Sequence, residues 1–353
     1  MIKFIEGKVA NLFSGYFSLV MATGALSIAT FLLGMKPVSK VLLYFNLFFY
    51  GILWFLTLYR LIKYFPRVKE DLTSHTHGPG FFTIIAGTCV FGSQLIVVDN
   101  QYSAAVCLWI LGIALWVLIM YTFFFAVTVR KNKPSLAEGI NGAWLIAAVS
   151  TQSLSILGTL LSPHIVNGRE IILFFALCMY FLGCMLYLNI IALIFYRFTF
   201  VNLKFAALTP PYWINMGAVA ITTLAGSTLI LHSQNFSLLV EITPFLKGFT
   251  LFFWITGTWW IPLLFILMIW RHLYHRYPLS YDPQFWGMVF PLAMYTTSTY
   301  QLSQALGLSF LTAIPRVIVF VAISAWLIVF AGLTHHLYRN LKSHFRPSDK
   351  GMC

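Results

Sequence analysis

Ten apolar runs, each close to the length of a membrane-crossing helix, leave this chain few folds to adopt. They fall near residues 12–33, 40–60, 80–98, 103–129, 139–161, 170–196, 211–232, 245–269, 284–309 and 315–338, bounded by charges and by Pro and Gly clusters. A helix needs about 20 predominantly apolar residues to span the hydrocarbon core. Composition agrees, since 60% of the 353 residues are hydrophobic and only 9% are charged. A soluble domain carries about a quarter charged residues. A soluble enzyme, a disordered chain and a secreted disulfide scaffold are all excluded. The first run follows Lys3 and Lys8 as a signal peptide would. It is longer than the ~7–15 apolar residues of such a peptide, and nine more runs follow, so it reads as a helix. All connections are short, and residues 1–353 are expected to form a single transmembrane domain.

The basic residues set an orientation. Seventeen fall on one side: Lys3, Lys8, Arg60, Lys63, Arg67, Lys69, Arg130, Lys131, Lys133, Arg197, Lys204, Arg271, Arg276, Arg339, Lys342, Arg346 and Lys350. Five fall on the other: Lys36, Lys40, Arg169, Lys247 and Arg316. Basic loops stay in the cytoplasm, so both termini are expected there. The net charge of +13 is then loop charge facing anionic headgroups, not a nucleic-acid footprint. The expected location is a bacterial plasma membrane, with the bilayer itself as a partner.

Odd and even runs differ in kind. Roughly half of each odd run is Gly, Ala, Ser, Thr, Asn or Gln, against about a fifth of each even run. Small residues allow close helix packing, and polar ones must face protein or water. The pattern predicts an all-α membrane protein of five helical hairpins, odd helices forming an inner ring and even helices facing lipid. Each odd run opens on aromatic or turn residues: Tyr16-Phe17, Phe81-Phe82, Trp144, Tyr212-Trp213 and Phe285-Trp286.

Within the odd runs the polar and small residues keep to stripes of helical period. Phe290, Thr297, Gln301 and Gln304 form one; Thr83, Gly87, Val90 and Gln94 a second; Asn141, Ala148, Gln152 and Ser155 a third; Asn215, Thr222 and Gly226 a fourth. Together with Gly24 these stripes are expected to line a neutral pathway, since no charge sits deep in any odd run. Glu138 and Asp282 stand only at the cytoplasmic ends. A neutral lumen suits an ion that binds weakly and leaves quickly. No paired histidines for a haem, metal-spaced cysteines, nucleophile elbow or phosphate loop appears, so neither a cofactor, a metal site nor an enzyme is expected.

Three segments carry a family resemblance: Phe17-Ser-Leu-Val-Met-Ala-Thr-Gly24, Pro211-Tyr-Trp-Ile-Asn-Met-Gly217 and Phe285-Trp-Gly-Met-Val-Phe-Pro291. His77-Gly-Pro-Gly-Phe-Phe82 is a looser fourth. Together they resemble the tellurite-resistance/dicarboxylate transporter family, which also contains the plant guard-cell slow anion channels. The resemblance covers essentially the whole chain. It implies five hairpins around one pore per subunit, a homotrimer, permeation of small inorganic or organic anions, and a pore closed by a ninth-helix phenylalanine, which matches Phe290. Members differ in anion among chloride, nitrate, malate, sulfite and tellurite, and nothing here selects one. The long cytoplasmic tails of the plant channels are missing.

The physics of such a gate is simple. Pro291 has no N–H, so the carbonyl of Gly287 loses its helical partner and a kink there would aim Phe290 inward. A ring across an apolar constriction blocks hydrated ions by dewetting. Anion preference has two expected sources at the mouth: the partly positive starts of the odd helices, and basic residues such as Arg271 and Arg276. A gated anion channel is therefore the leading expectation. The alternative is a secondary carrier or exporter of C4-dicarboxylates, tellurite or sulfite, with Glu138 as the residue that would couple it to protons.

Overall fold

The computed structural model describes residues 2–165 and 167–345. Arg346, Lys350 and the side chain of Lys3, all counted in the charge asymmetry, lie outside the described residues. Each apolar run becomes one long helix: α1 (Ser18–Leu32), α2 (Lys36–Lys63), α3 (Phe82–Asp99), α4 (Tyr102–Val129), α5 (Ile146–Leu161), α6 (Arg169–Phe200), α7 (Ile214–Leu231), α8 (Ser237–Ile269), α9 (Trp286–Leu306) and α10 (Ala313–Phe345). Among the described residues there is no strand. Eight of these helices are long and apolar enough to cross a membrane. The other two are α1, which has only 15 residues, and α9, which carries the polar run Thr296-Thr297-Ser298-Thr299. The eighth helix starts at Ser237, earlier than its apolar run suggested, with Pro244 inside it. Lys247 therefore sits on the helix about 15 Å from its start, at 1.5 Å per residue, and not in a loop.

Turn chemistry sets the pairing. Short turns, each of two to seven residues, join each odd helix to the next even one. Left-handed residues reverse the chain there, Gly307 (φ 69°) after α9 and Asn100 (φ 55°) after α3. A connection that short forces the two helices to run antiparallel and pack. Each odd helix does pack against the even helix that follows it.

The odd helices also contact one another in a closed order: α1 with α3, α3 with α5, α5 with α7, α7 with α9, and α9 with α1. Burial follows. The apolar windows of α3, α5 and α7 are 89%, 94% and 94% buried. Those of α2, α4, α6, α8 and α10 are only 28%, 33%, 39%, 22% and 28% buried. Leu, Phe and Ile point outward from the even helices, as at Phe48, Phe125, Ile171, Ile266 and Ile328. An exposed apolar surface of this extent suits hydrocarbon and not water.

Hydrogen bonds then stitch even helices to the next odd one. Asn46 of α2 donates to Gln94 of α3 at 2.6 Å, and Trp116 of α4 to Thr151 of α5 at 2.9 Å. Trp254 of α8 donates to Thr299 of α9 at 3.0 Å. Trp326 of α10 closes the circuit by donating to Thr23 of α1 at 3.0 Å. In hydrocarbon an amide or hydroxyl without a partner is costly, so these polar side chains settle where another helix can meet them.

Candidate functional site

Four of the five odd helices are preceded by a tight 3-10 turn: Gly78–Phe81, Gly142–Leu145, Pro210–Trp213 and Pro283–Phe285. The aromatic residues noted at the starts of these four helices sit in or beside the turns. Trp144 shows what they do: its indole N–H reaches both the His75 carbonyl at 2.9 Å and the Gly139 carbonyl at 3.0 Å, tying two loops together. Burial first, then the positive charge of Arg130 and Lys133, holds the nearby His75 imidazole below its ordinary value of 6.5.

The helix starts surround a cavity of about 370 Å³. All five odd helices or their lead-in turns contribute to it, through Ser18 and Met21, Thr83, Asn141 and Ile146, Ile214, and Gly287 and Phe290. Phe290 lies five residues into α9, further along its helix than any other lining residue of the odd helices, and is 1% exposed. A second, much smaller cavity of about 30 Å³ lies further along the same five helices. Its lining includes Ile28, Val90, Ile156, Ile221 and Met294, with Thr297 and Gln301 on α9. Such a space holds no more than about two waters. Phe290 borders the first cavity and Met294, one turn later, borders the second. The material between them is thus about 6 Å of helix deep.

Pro291 is placed against α7. A Cβ built on Gly217 would lie 2.7 Å from the Pro291 ring, so only glycine lets the two helices approach this closely. The Pro211–Gly217 and Phe285–Pro291 segments of the sequence resemblance therefore meet beside Phe290.

The stripes divide. Phe290, Thr83 and Asn141 line the larger cavity, and Val90, Thr297 and Gln301 the smaller. Thr83 also donates to the Gly80 carbonyl at 2.6 Å, while Asn141 caps its turn by accepting from the Ala143 N–H at 2.9 Å. The remaining stripe residues line neither cavity. Gln94 is held by Asn46, and Gln152 donates to the Tyr180 carbonyl of α6 at 3.0 Å. Gly24 seats Val90 and Asn46, Gly87 seats Phe17, and Gly226 seats Thr250 and Tyr180. Thr222 bonds back to the Ala218 carbonyl at 2.7 Å. Ala148 and Asn215 are fully buried and line neither cavity, and the Asn215 amide meets no partner. Helix rotation accounts for the division. The residues turned inward are mostly apolar, such as Ile214 and Ile221 on α7, while their polar neighbours Asn215 and Thr222 lie about 100° away, a 3.6-residue helix turning that far per position.

At the mouth, Glu138 does line the larger cavity, accepting from the Ser135 hydroxyl at 3.1 Å. Arg271 does not. It is buried, bonded to the Leu208 carbonyl, and stacked 4.3 Å over the Tyr277 ring. Arg276 is exposed, in a left-handed conformation (φ 49°), and lines neither cavity. Polar residues outside the stripes also line the larger cavity, among them His77, Gln284 and two more. Ser18 lines the larger cavity with a buried hydroxyl that has no partner. Arg197, from the end of α6, also lines it. A signal for Arg197 exists in the sequence, because Arg60, Arg130, Arg197, Arg271 and Arg339 recur roughly every 70 residues near the ends of the even runs. Among the described residues no three His, Cys, Asp or Glu side chains converge as a metal site would require.

Comparison with known proteins agrees with this architecture. The family described as "Voltage-dependent anion channel" matches residues 11–334. An uncharacterized membrane protein of Mycobacterium tuberculosis is 38% identical over 163 residues, covering 46% of this chain and 82% of that protein. An uncharacterized transporter of Methanocaldococcus jannaschii is 25% identical over 312 residues, 86% of this chain and 88% of its own length. The malic acid transport protein of Schizosaccharomyces pombe is 20% identical over 310 residues, 82% of this chain and 70% of that protein. These names point to transport rather than catalysis. With a match that runs over nearly its whole length, this multi-pass membrane protein belongs to the voltage-dependent anion channel family, the group its odd-run segments resemble.

Proposed function

We propose that the protein is a gated anion channel whose ten helices form one transmembrane domain of five hairpins, with the odd helices as a ring around a pathway closed by Phe290. The observation that carries this reading is the pair of cavities. Both lie among the same five helices, and Phe290 stands where the larger one ends and the narrow one begins. The short helix α1 and the polar helix α9 are spans in this reading because each is enclosed by neighbours and never has to satisfy lipid. The larger cavity opens to the cytoplasm, where both termini also lie, and the cell's plasma membrane is the site of action. Five helix starts facing that cavity favour an anion, and the apolar step beyond it dewets. A homotrimer is the assembly that the family resemblance supports.

The test is electrical. Reconstituted in a planar bilayer under a chloride gradient, the protein and its Phe290→Ala variant are expected to give currents that reverse near the chloride equilibrium potential. Reversal at the cation potential rejects the reading. A second reading, a proton-coupled carrier of organic anions, is favoured by one feature: Glu138 is an ionisable group on the wall of the same cavity. Proteoliposomes under an imposed pH gradient separate the two. Uphill malate accumulation that Glu138→Gln abolishes supports the carrier, and strictly downhill flux supports the channel.

A further inference from the structure

Near the end of four even helices an arginine closes a loop onto the segment that leads into its own hairpin. Arg60 donates to the Ala10 carbonyl, Arg130 to Thr73, Arg197 to Ile140 and Arg271 to Leu208. The latch repeats, but the surroundings of the charge vary. Arg60 is neutralised by Asp71 at 2.5 Å. Arg130 and the fifth member of the series, Arg339, are exposed. Arg271 is as buried as Arg197 and its Nε is also unpartnered, but it stacks on Tyr277 and does not border the Phe290 cavity. Arg197 alone is both buried, at 8% exposure, and part of the wall that ends at Phe290.

Arg197 has no carboxylate within ion-pair distance among the described residues. One terminal nitrogen, Nη1, serves both the Ile140 carbonyl and the Tyr212 hydroxyl. Its Nε is buried with no acceptor at all. A buried charge without a counter-charge is strongly unfavourable, so a guanidinium in this state calls for an anion. Glu138 lines the same cavity but is bonded to Ser135 and does not pair with it.

We propose that Arg197 is an anion-binding group on the cytoplasmic side of the gate, and that its unfilled Nε edge selects a carboxylate. The warrant is geometric: the guanidinium fork meets the two oxygens of a carboxylate side by side, which a spherical ion cannot reproduce. Glu138 opposes that occupancy, as a like charge on the same wall. The proposal rests on the larger cavity being part of the anion pathway.

The experiment uses formate and chloride as probes on the full-length protein carrying Phe290→Ala in planar bilayers. Conductance against formate concentration is expected to saturate. Arg197→Gln is expected to raise the half-saturating concentration at least tenfold and to erase the preference for formate over chloride. Arg197→Lys keeps the charge but not the fork, and is expected to recover chloride conductance without the formate preference. Glu138→Gln, which leaves Arg197 intact, is expected to lower the half-saturating concentration several-fold. If Arg197→Gln conducts anions with unchanged half-saturation and preference, the site is overturned and the channel reading stands. If Arg197→Gln does not fold, an unchanged half-saturation in Glu138→Gln overturns it instead. If Phe290→Ala passes no anion current, the pathway reading has failed, and calorimetry of formate binding decides the site: equal heats in wild type and Arg197→Gln overturn it, and lost heat in the variant supports it.

Discussion

Replacing Phe290 by smaller residues should convert a closed pathway into a leak of graded size. The ring is 1% exposed, and the cavity it borders lies one helical turn, about 6 Å, from the narrower one at Met294. An anion crossing that step sheds water at a cost of several kcal/mol. Each 1.36 kcal/mol removed from a barrier is tenfold in rate, so recovering ~3 kcal/mol by letting water bridge the cavities raises passage about 100-fold. Alanine should show that full effect, with leucine and valine in between. The variant must also stay folded. Truncating a packed Phe costs about 3–5 kcal/mol, and less is expected here because one side of the ring borders a 370 Å³ space that water can extend. The assay is bilayer conductance in symmetric chloride, normalised to protein whose thermal midpoint and elution match wild type. Folded alanine and valine variants with wild-type conductance would show that the barrier lies elsewhere.

Three further outcomes test the scaffold. Asn46→Leu strands the Gln94 oxygen it serves, so the thermal midpoint in detergent should fall by the equivalent of about 1–3 kcal/mol; the Asn46→Leu/Gln94→Leu double variant should recover part of that, and a fully additive loss argues against the pairing. Gly217→Val places a Cβ 2.7 Å from Pro291, about 1 Å inside ordinary contact, and should cost ~1–3 kcal/mol by overpacking. Gly287→Ala, whose Cβ has 3.7 Å of room, should leave the midpoint unchanged, and equal losses from the two refute the packing argument. For His75 the folded pKa lies below 6.5, so the folded state resists a proton that the unfolded chain accepts. Its contribution to stability is intact above about pH 6.5 and declines as pH falls through that value toward the folded pKa. The midpoint of His75→Gln should therefore fall less between pH 7 and 5 than that of wild type; parallel curves refute the assignment.

How much of this was readable follows from which force each feature answers to. Helix positions and the odd–even contrast answer to burial against lipid, which acts on whole runs, and the sequence carries it redundantly over some twenty residues per helix. The cavity-facing side of each helix answers to a smaller balance, and there polarity misleads. In water-facing sites an amide on a stripe marks the wet side. In these helices Gln94 and Gln152 turn instead toward α2 and α6, because a neighbouring helix offers a fixed partner. On α9 the stripe residues Phe290, Thr297 and Gln301 border the cavities, and there the Pro291–Gly217 contact fixes the rotation of the helix. Arg197 escaped because a basic residue near a span end also satisfies the orientation rule, and only its fivefold recurrence separates the two roles.

That separation has a consequence for how the pathway works. The groups placed to hold charge, Arg197 and Glu138, border only the larger cavity, and the groups at the narrow step, Phe290 and Met294, carry none. In the proposed channel, ion selection and ion blockade would thus depend on different physics, one on Coulomb and hydrogen-bond attraction, the other on dewetting. Selectivity set by charge weakens with salt, because screening lengths shrink from about 10 Å at 0.1 M to 3 Å at 1 M. A dewetting barrier is indifferent to salt. In Phe290→Ala the anion-over-cation ratio should therefore fall as ionic strength rises, and Arg197→Gln should remove most of that dependence. In the wild-type protein the low closed-state conductance should stay the same across that range. A closed state that salt opens would mean that charge, not the apolar step, holds the pathway shut.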